Sequence, residues 1–322
     1  MSRMKLVLAL VAALLSAGSA TAQDWPSRPV TLIVPFPAGG GVDVIGRIVA
    51  EKLSAALGQQ VIVDNRGGAA GVIGTRVAKA APPDGYTLVM ATSGSIAINP
   101  TLYANPGYEP RKDLAPIGLI SSTPIVLMTH PEAAARSLAD VIAAAKAEPG
   151  KLNIGTPPPG TSAYLAAELF KVMAGIDFTI VTYRGTGPLT TDLLGGHVKL
   201  AFNVLAPAMS NLKSGGLRAL AVLGPKRSSL LPEVPTAAEA GLPGFEAGLN
   251  YGLLAPAGTP RPIVERLNKE LRALIDAPEV RARIAADGGD PLPSSPEEYA
   301  ADIEREDKKW GDLIRKLKLR VE

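Results

Sequence analysis

The sequence predicts an α/β protein built from two βα sets, each a mostly parallel sheet flanked by helices. Three observations carry that expectation. Short β-branched runs alternate with amphipathic helices over residues 30–91, the order of a parallel sheet with helices on its faces. A second series of the same kind runs over residues 152–223. Glycine (33) and proline (29) are frequent and gather in the strand-to-helix connections, so many turns join short elements.

Residues 1–22 stand apart. Arg3 and Lys5 precede an apolar run from Leu6 to Leu15, followed by small residues up to Ala20-Thr21-Ala22. This is the pattern of a cleavable secretory signal peptide, with cut expected before Gln23. The apolar run is short of a bilayer span, and no later stretch reaches roughly 18 uninterrupted apolar residues, so the mature chain is expected to be soluble. Setting 1–22 aside removes two basic residues and no acid, which lowers the formal charge from +3 to +1. A nearly neutral chain without a basic cluster gives no support for nucleic-acid binding. The 322 residues suffice for two domains, and 47% hydrophobic with 20% charged content indicates a globular protein. There is no cysteine, which excludes disulfides and thiol chemistry and suits a bacterial periplasm.

Val30–Val34 reads as the first strand. From Asp43 to Leu57, Ile45, Ile48, Val49, Leu53, Ala56 and Leu57 recur at helical spacing, opposite Asp43, Arg47, Glu51 and Ser54. The connection Pro35-Phe36-Pro37-Ala38-Gly39-Gly40-Gly41 is therefore a strand-to-helix loop. It either turns the chain or offers an anion unpaired N–H groups and the positive end of the helix dipole. Val61–Val63 is a strand, residues 65–71 a second glycine-rich loop, 72–80 a helix, Pro83-Asp84-Gly85 a turn and Tyr86–Ala91 a strand.

Residues 117–129 are extended, interrupted by Ser121-Ser122-Thr123-Pro124, and are expected to carry the chain out of the first domain. Ser137 caps a helix with Asp140 at its third position. Strands at 152–154, 178–183, 198–202 and 217–223 alternate with helices at 163–173 and 189–194. A strand at 252–256 and helices at 262–275, 278–286 and 296–317 close the chain. The last helix carries Tyr299, Ile303, Trp310 and Ile314, a stripe expected to dock on the first domain.

Four βα loops are rich in glycine and hydroxyls: Pro35–Gly41, Asn65–Gly71, Ala91–Ser95 and Gly155–Ser162. In open parallel sheets such loops collect beyond the carboxyl ends of the strands, where ligands bind. Together they imply a cleft lined by backbone N–H groups and small hydroxyls. Catalysis has no comparable signal. The two histidines, His130 and His197, lie at a strand end and in a glycine turn. There is no Gly-x-Ser-x-Gly elbow and no metal-ligand spacing. Gly39-x-Gly41 is followed by Val44 where a dinucleotide fingerprint needs its third glycine, and no Gly-Lys-Ser/Thr loop occurs. No catalytic residue, metal or cofactor is therefore expected. Asp43, in the first helical turn, offsets the dipole or contacts ligand. Arg66 and Arg184, beside glycine loops, either pair with a carboxylate or face solvent, and Asn203 ends a strand.

The ordered motifs resemble one family over essentially the whole mature chain. They are Trp25-Pro26-Ser27-Arg28-Pro29, Val34-Pro35-Phe36-Pro37-Ala38-Gly39-Gly40, Val63-Asp64-Asn65-Arg66-Gly67-Gly68 and Pro83-Asp84-Gly85-Tyr86-Thr87-Leu88. Asn99-Pro100-x-Leu102-Tyr103, Tyr183-Arg184-Gly185, Asp192-Leu193-Leu194-Gly195-Gly196 and Leu217-Arg218-Ala219-Leu220-Ala221 follow. Pro235-Thr236-x-x-Glu239-Ala240-Gly241 and residues 252–260 complete the set. In these the chain is similar to the substrate-binding proteins of tripartite tricarboxylate transporters, the Bug receptors.

The resemblance implies a two-lobed periplasmic binding protein fold, type II-like, that closes on a small organic carboxylate like a Venus flytrap. Lobe 1 would comprise residues 23–123 and 226–322, and lobe 2 residues 124–225. The ligand would lie against Phe36, Ala38, Gly39 and Asp43, with Gly68 and Ser93 nearby. Thr156, Thr161, Ser162 and Tyr164 would face it from lobe 2, with Asn203 at the rim. Tyr164 stands where histidine is common in the family, and Asn203 where aspartate is common. The implied partners are the ligand and membrane permease subunits, or alternatively a sensor kinase; a monomer is expected.

Overall fold

The computed structural model describes residues 25–286 and 288–322; the signal-peptide reading falls outside the described residues. The chain runs β1 (Val30–Val34), α1 (Gly41–Leu57), β2 (Val61–Asn65), α2 (Val72–Lys79) and β3 (Thr87–Thr92). After a π-helical turn (Gly94–Ile98) come α3 (Asn99–Leu102), α4 (Pro110–Asp113) and the long β4 (Leu114–Thr129). Then follow α5 (Leu138–Ala147), β5 (Asn153–Thr156), α6 (Ser162–Ala174), β6 (Thr179–Thr182), α7 (Thr186–Leu194), β7 (Leu200–Val204), α8 (Met209–Lys213) and β8 (Arg218–Val222). The chain closes with β9 (Gly248–Pro256), α9 (Arg261–Asp276), α10 (Pro278–Ala286), β10 (Asp290–Pro291) and α11 (Pro296–Leu317).

Local chemistry sets the helix ends. The apolar stripe of α1 is buried, and Gly58 ends that helix at φ 70°, a left-handed geometry that costs glycine little. Thr161 caps α6 by accepting the Tyr164 N–H. Ser295 and Glu298 form a reciprocal capping box ahead of α11, with Pro296 at its first position.

The strand order is β2-β1-β3-β9-β4-β7-β5-β6. The outer strands of each lobe pair in parallel, β2-β1-β3 on one side and β7-β5-β6 on the other. The strands that cross between lobes pair antiparallel, so the parallel arrangement expected from the sequence holds for the outer part of each sheet. β4 belongs to both sheets: residues 114–124 pair with β9, and residues 125–129 with β7. The β4–β9 register shifts at Pro116/Gly118 and at Leu119/Ser121.

One expectation is revised. Residues 226–247, assigned above to lobe 1, pack on lobe 2. Thr236 bridges Val222, the Ala247 N–H donates to Leu223 O at 2.7 Å, and Phe245 stacks on Phe170 with ring centroids 5.3 Å apart. The segment forms no helix or long strand, so periodicity gave no sign of where it belongs; the chain rejoins lobe 1 at β9. The stripe on α11 docks along the first lobe, as the sequence implies. Tyr299 and Ile303 pack with Ile33, Val89 and Leu254, and Trp310, Leu313 and Ile314 join the cluster that holds Ala97, Ile98 and Leu102 of lobe 1 together with Phe170 and Phe202 of lobe 2.

Candidate functional site

The carboxyl ends of β1, β2 and β3 place three loops side by side. The Asp43 side chain organises the first. Its Oδ2 accepts the Gly39 N–H and Arg47 Nε, each at 2.9 Å, and its Oδ1 accepts Asn65 Nδ2 at 2.9 Å. Asn65 also donates to Phe36 O at 3.1 Å, tying the β2 end to the β1 loop. Burial opposes ionisation of Asp43, but the bonds from Arg47, Gly39 and Asn65 outweigh it and hold the carboxyl below its ordinary range. Asp43 thus points its charge into its own loop. The Gly39 N–H is spent on that bond, while the exposed Ala38 and Gly40 N–H groups have no acceptor among the described residues. Arg66 pairs with Asp64 at 2.9 Å.

The second and third loops close on the first. Gly67 abuts the Phe36–Pro37 backbone, and Gly71 lies against both the Phe36 ring and Ser95, so a β carbon at either would sit tightly against those neighbours. Gly68 accepts the Gly71 N–H at 3.0 Å. Thr92 and Ser95 bond reciprocally through side chain and backbone, which fixes the turn after β3. The buried Ser93 Oγ accepts the Asn250 N–H at 3.0 Å, linking this turn to crossing strand β9. Asn250 in turn accepts from Ser122 on β4 at 2.6 Å and donates to Asp302 on α11 at 3.2 Å.

Lobe 2 presents the β5–α6 loop. Thr156 is buried and donates to Pro157 O at 2.9 Å, and Thr161 Oγ1 donates to Pro158 O at 2.8 Å. Ser162, the first residue of α6, is 1% exposed, and its Oγ has no hydrogen-bond partner among the described residues. The Ser162 and Ala163 N–H groups are likewise without acceptors among the described residues. The Tyr164 hydroxyl donates to Glu168 one turn along the helix at 3.2 Å; half-burial and the nearby Glu168 push it up to about 12. Asn203 is fully buried and pins the first turn of α7, donating to Thr190 Oγ1 at 3.2 Å and Thr186 O at 3.4 Å. Its Oδ1 accepts the adjacent Val204 N–H at 2.9 Å.

The two halves touch where the β5–α6 loop meets lobe 1: a β carbon on Gly94 would stand 2.6 Å from Gly160 O. The sequence motifs include Asn65 and Asn99, and the Ala91–Ser95 loop includes Gly94, without a sign of their roles, and Asn250 lies outside every motif. An asparagine directly before proline at a helix start was the available signal for Asn99; nothing local marks Asn250. Two surface hollows, of about 360 and 390 Å3, lie elsewhere, around Ser137 and Pro235 and around Leu102 and Ile314. Among the described residues no group of three His, Cys, Asp or Glu is placed to hold a metal, and no helix is long and apolar enough to cross a membrane.

Two α/β lobes joined by paired crossing strands, with strand-end loops meeting across a cleft, define a solute-binding receptor. The model of the tripartite tricarboxylate transporter family receptor matches residues 45–319. The chain belongs to that family, a family of solute-binding receptors and not of enzymes. It is 36% identical to R. palustris Rpa4515, solved with adipate, at a TM-score of 0.84 covering 91% of this chain and 98% of that one. The periplasmic binding protein BugD is 34% identical, with a TM-score of 0.82 and coverage of 92% and 99%. MatC (Rpa3494) from Rhodopseudomonas palustris, solved with bound malate, is 31% identical, with a TM-score of 0.81 and coverage of 90% and 100%.

Proposed function

We propose that this receptor captures a small dicarboxylate between its lobes and delivers it to the membrane permease of a tripartite tricarboxylate-type transporter. It acts as a monomer after export through the leader at 1–22. One carboxylate lies on the Pro35–Gly41 loop, held by the Ala38 and Gly40 N–H groups and shaped by Phe36, Gly39, Gly68 and Ser93. The other lies at the start of α6, held by Ser162 and the Ala163 N–H, with Thr156 and Thr161 shaping the turn. In this reading Asp43, Tyr164 and Asn203 build the site without touching the ligand, because their polar atoms are already engaged.

The observation that carries the reading is Ser162. A buried hydroxyl without a partner is costly, and this one stands beside unpaired N–H groups at a helix N-terminus, where a carboxylate is stabilised. That two relatives were solved with adipate and malate supports the same ligand class. Isothermal calorimetry of the mature chain with adipate, malate and a matched monocarboxylate tests it. A dicarboxylate should bind and the monocarboxylate should bind at least about tenfold more weakly, the loss of one charged hydrogen-bonding end. Equal affinity for the two classes would defeat the two-ended site.

A further inference from the structure

Gly160 of lobe 2 sits in a socket formed by lobe 1. A β carbon there would stand 2.5 Å from Asn99 Oδ1, 3.1 Å from Ala70 Cβ and 3.3 Å from Tyr103 Cε2. From the other side, a β carbon on Gly94 would stand 2.6 Å from Gly160 O. Both glycines therefore meet as bare backbone. The wall of the socket is a strained turn: Ala69 and Ala70 have φ of 47° and 50°, between Gly68 at 133° and Gly71 at 97°. Left-handed alanines persist only where their surroundings hold them. Asn99, itself fully buried, does so by donating from Nδ2 to Ala70 O at 2.9 Å. Its Oδ1, without a donor among the described residues, abuts Gly160.

We propose that this socket sets the fraction of receptor that is closed, and that Asn99 is a positioning residue that holds the Ala69–Ala70 turn in the shape that receives Gly160. Apparent affinity is the intrinsic affinity scaled by the competent fraction. A change confined to the socket therefore weakens every ligand by the same factor, whereas loss of a ligand contact changes the ratio between ligands. The ligand arm of the test rests on the dicarboxylate reading; the ligand-free arm does not.

Gly94→Ala is the sharpest variant, because Gly94 lies in a helical turn that accepts alanine and its new methyl group meets only the opposite lobe closely. Small-angle scattering of the ligand-free protein should give a larger radius of gyration than the parent. Calorimetry should show adipate and malate weakened by one common factor of about ten or more. Asn99→Ala should do the same, and it carries the test if Gly94→Ala does not fold. An unchanged radius of gyration overturns the proposal, whether the affinities stay constant or fall by different factors. If neither acid binds the parent, the dicarboxylate reading fails, and the scattering comparison still decides the socket.

Discussion

Asp43 Oδ2 accepts the Gly39 N–H at 2.9 Å, closing the glycine loop on its own helix. The acid completes the loop, and its negative charge is balanced by Arg47 before any ligand arrives. Asp43→Ala strands Gly39, Arg47 and Asn65, and should cost about 2–3 kcal/mol, the scale of hydrogen bonds to a charged group. The folded-state carboxyl titrates below its unfolded value of about 4. Its contribution is thus present above that pH and lost as pH falls through the lower folded value. Urea denaturation should show the gap between parent and variant constant from pH 7 to about pH 5 and shrinking below about pH 4. A gap that does not shrink as pH falls below about 4 would mean the carboxylate charge is not the source.

Ser162→Ala removes a buried hydroxyl that has no partner among the described residues. The ligand-free melting temperature should hold or rise, since an unsatisfied buried polar group is lost. Dicarboxylate affinity should drop roughly tenfold, equivalent to about 1.4 kcal/mol. Calorimetry beside a thermal melt separates the two effects, and a fall in melting temperature without loss of affinity would make Ser162 a folding residue.

Phe170 is fully buried and meets Phe178, Phe202 and Phe245 with centroids 6.0, 5.7 and 5.3 Å away. It joins α6, β7 and the returning 226–247 segment. Phe170→Ala should destabilise lobe 2 by about 3–5 kcal/mol through lost burial and the cavity left behind. Hydrogen exchange should then accelerate in β5, β7 and residues 237–247 before it does in β1 and α1. A loss spread evenly over both lobes would contradict a cluster centred on lobe 2.

Asp302 lies under the crossing strands. Burial raises its carboxyl above the ordinary range, against the opposing pull of Arg305 and the bond from Asn250. A raised carboxyl contributes full stability below its unfolded value of about 4, and loses it as pH rises through the folded value. Asp302→Asn keeps an acceptor for Asn250 and gives up an ion pair to an exposed arginine, a small loss. It should therefore melt higher than the parent at pH 8, with the advantage gone by pH 4. A lower melting temperature at pH 8 would show that the Arg305 pair outweighs desolvation.

Much of this was legible in the sequence because the relevant signals are local. The stripe of α1, the Ser137 cap and the glycine loops announce themselves within a few residues, and ten ordered motifs point to one family. Long-range facts did not. Nothing near Phe245 says that its ring stacks on Phe170, so the return crossing was set too early. The proposed site residues lie on the strand-end loops, but Asp43, Tyr164 and Asn203 have their polar groups engaged by neighbours. Of the groups that occupy them, Arg47 and Glu168 lie one turn along the same helix, whereas Asn65 and Thr190 lie 22 and 13 residues away, separations that a linear reading cannot rank. The Gly94–Gly160 contact joins two lobes and has no sequence signature at all.

The shared strand β4 has a mechanical consequence. The lobes are joined by a hydrogen-bonded ribbon of β4 and β9 in place of an exposed linker. The proposed opening of the lobes would be absorbed as flexure of that ribbon, whose register shifts lie near Gly118 and Ser121. Such a joint behaves as a leaf spring with a restoring force, and offers proteases no extended connector to cut. Limited digestion of the native receptor should therefore spare the crossing while it nicks loops elsewhere.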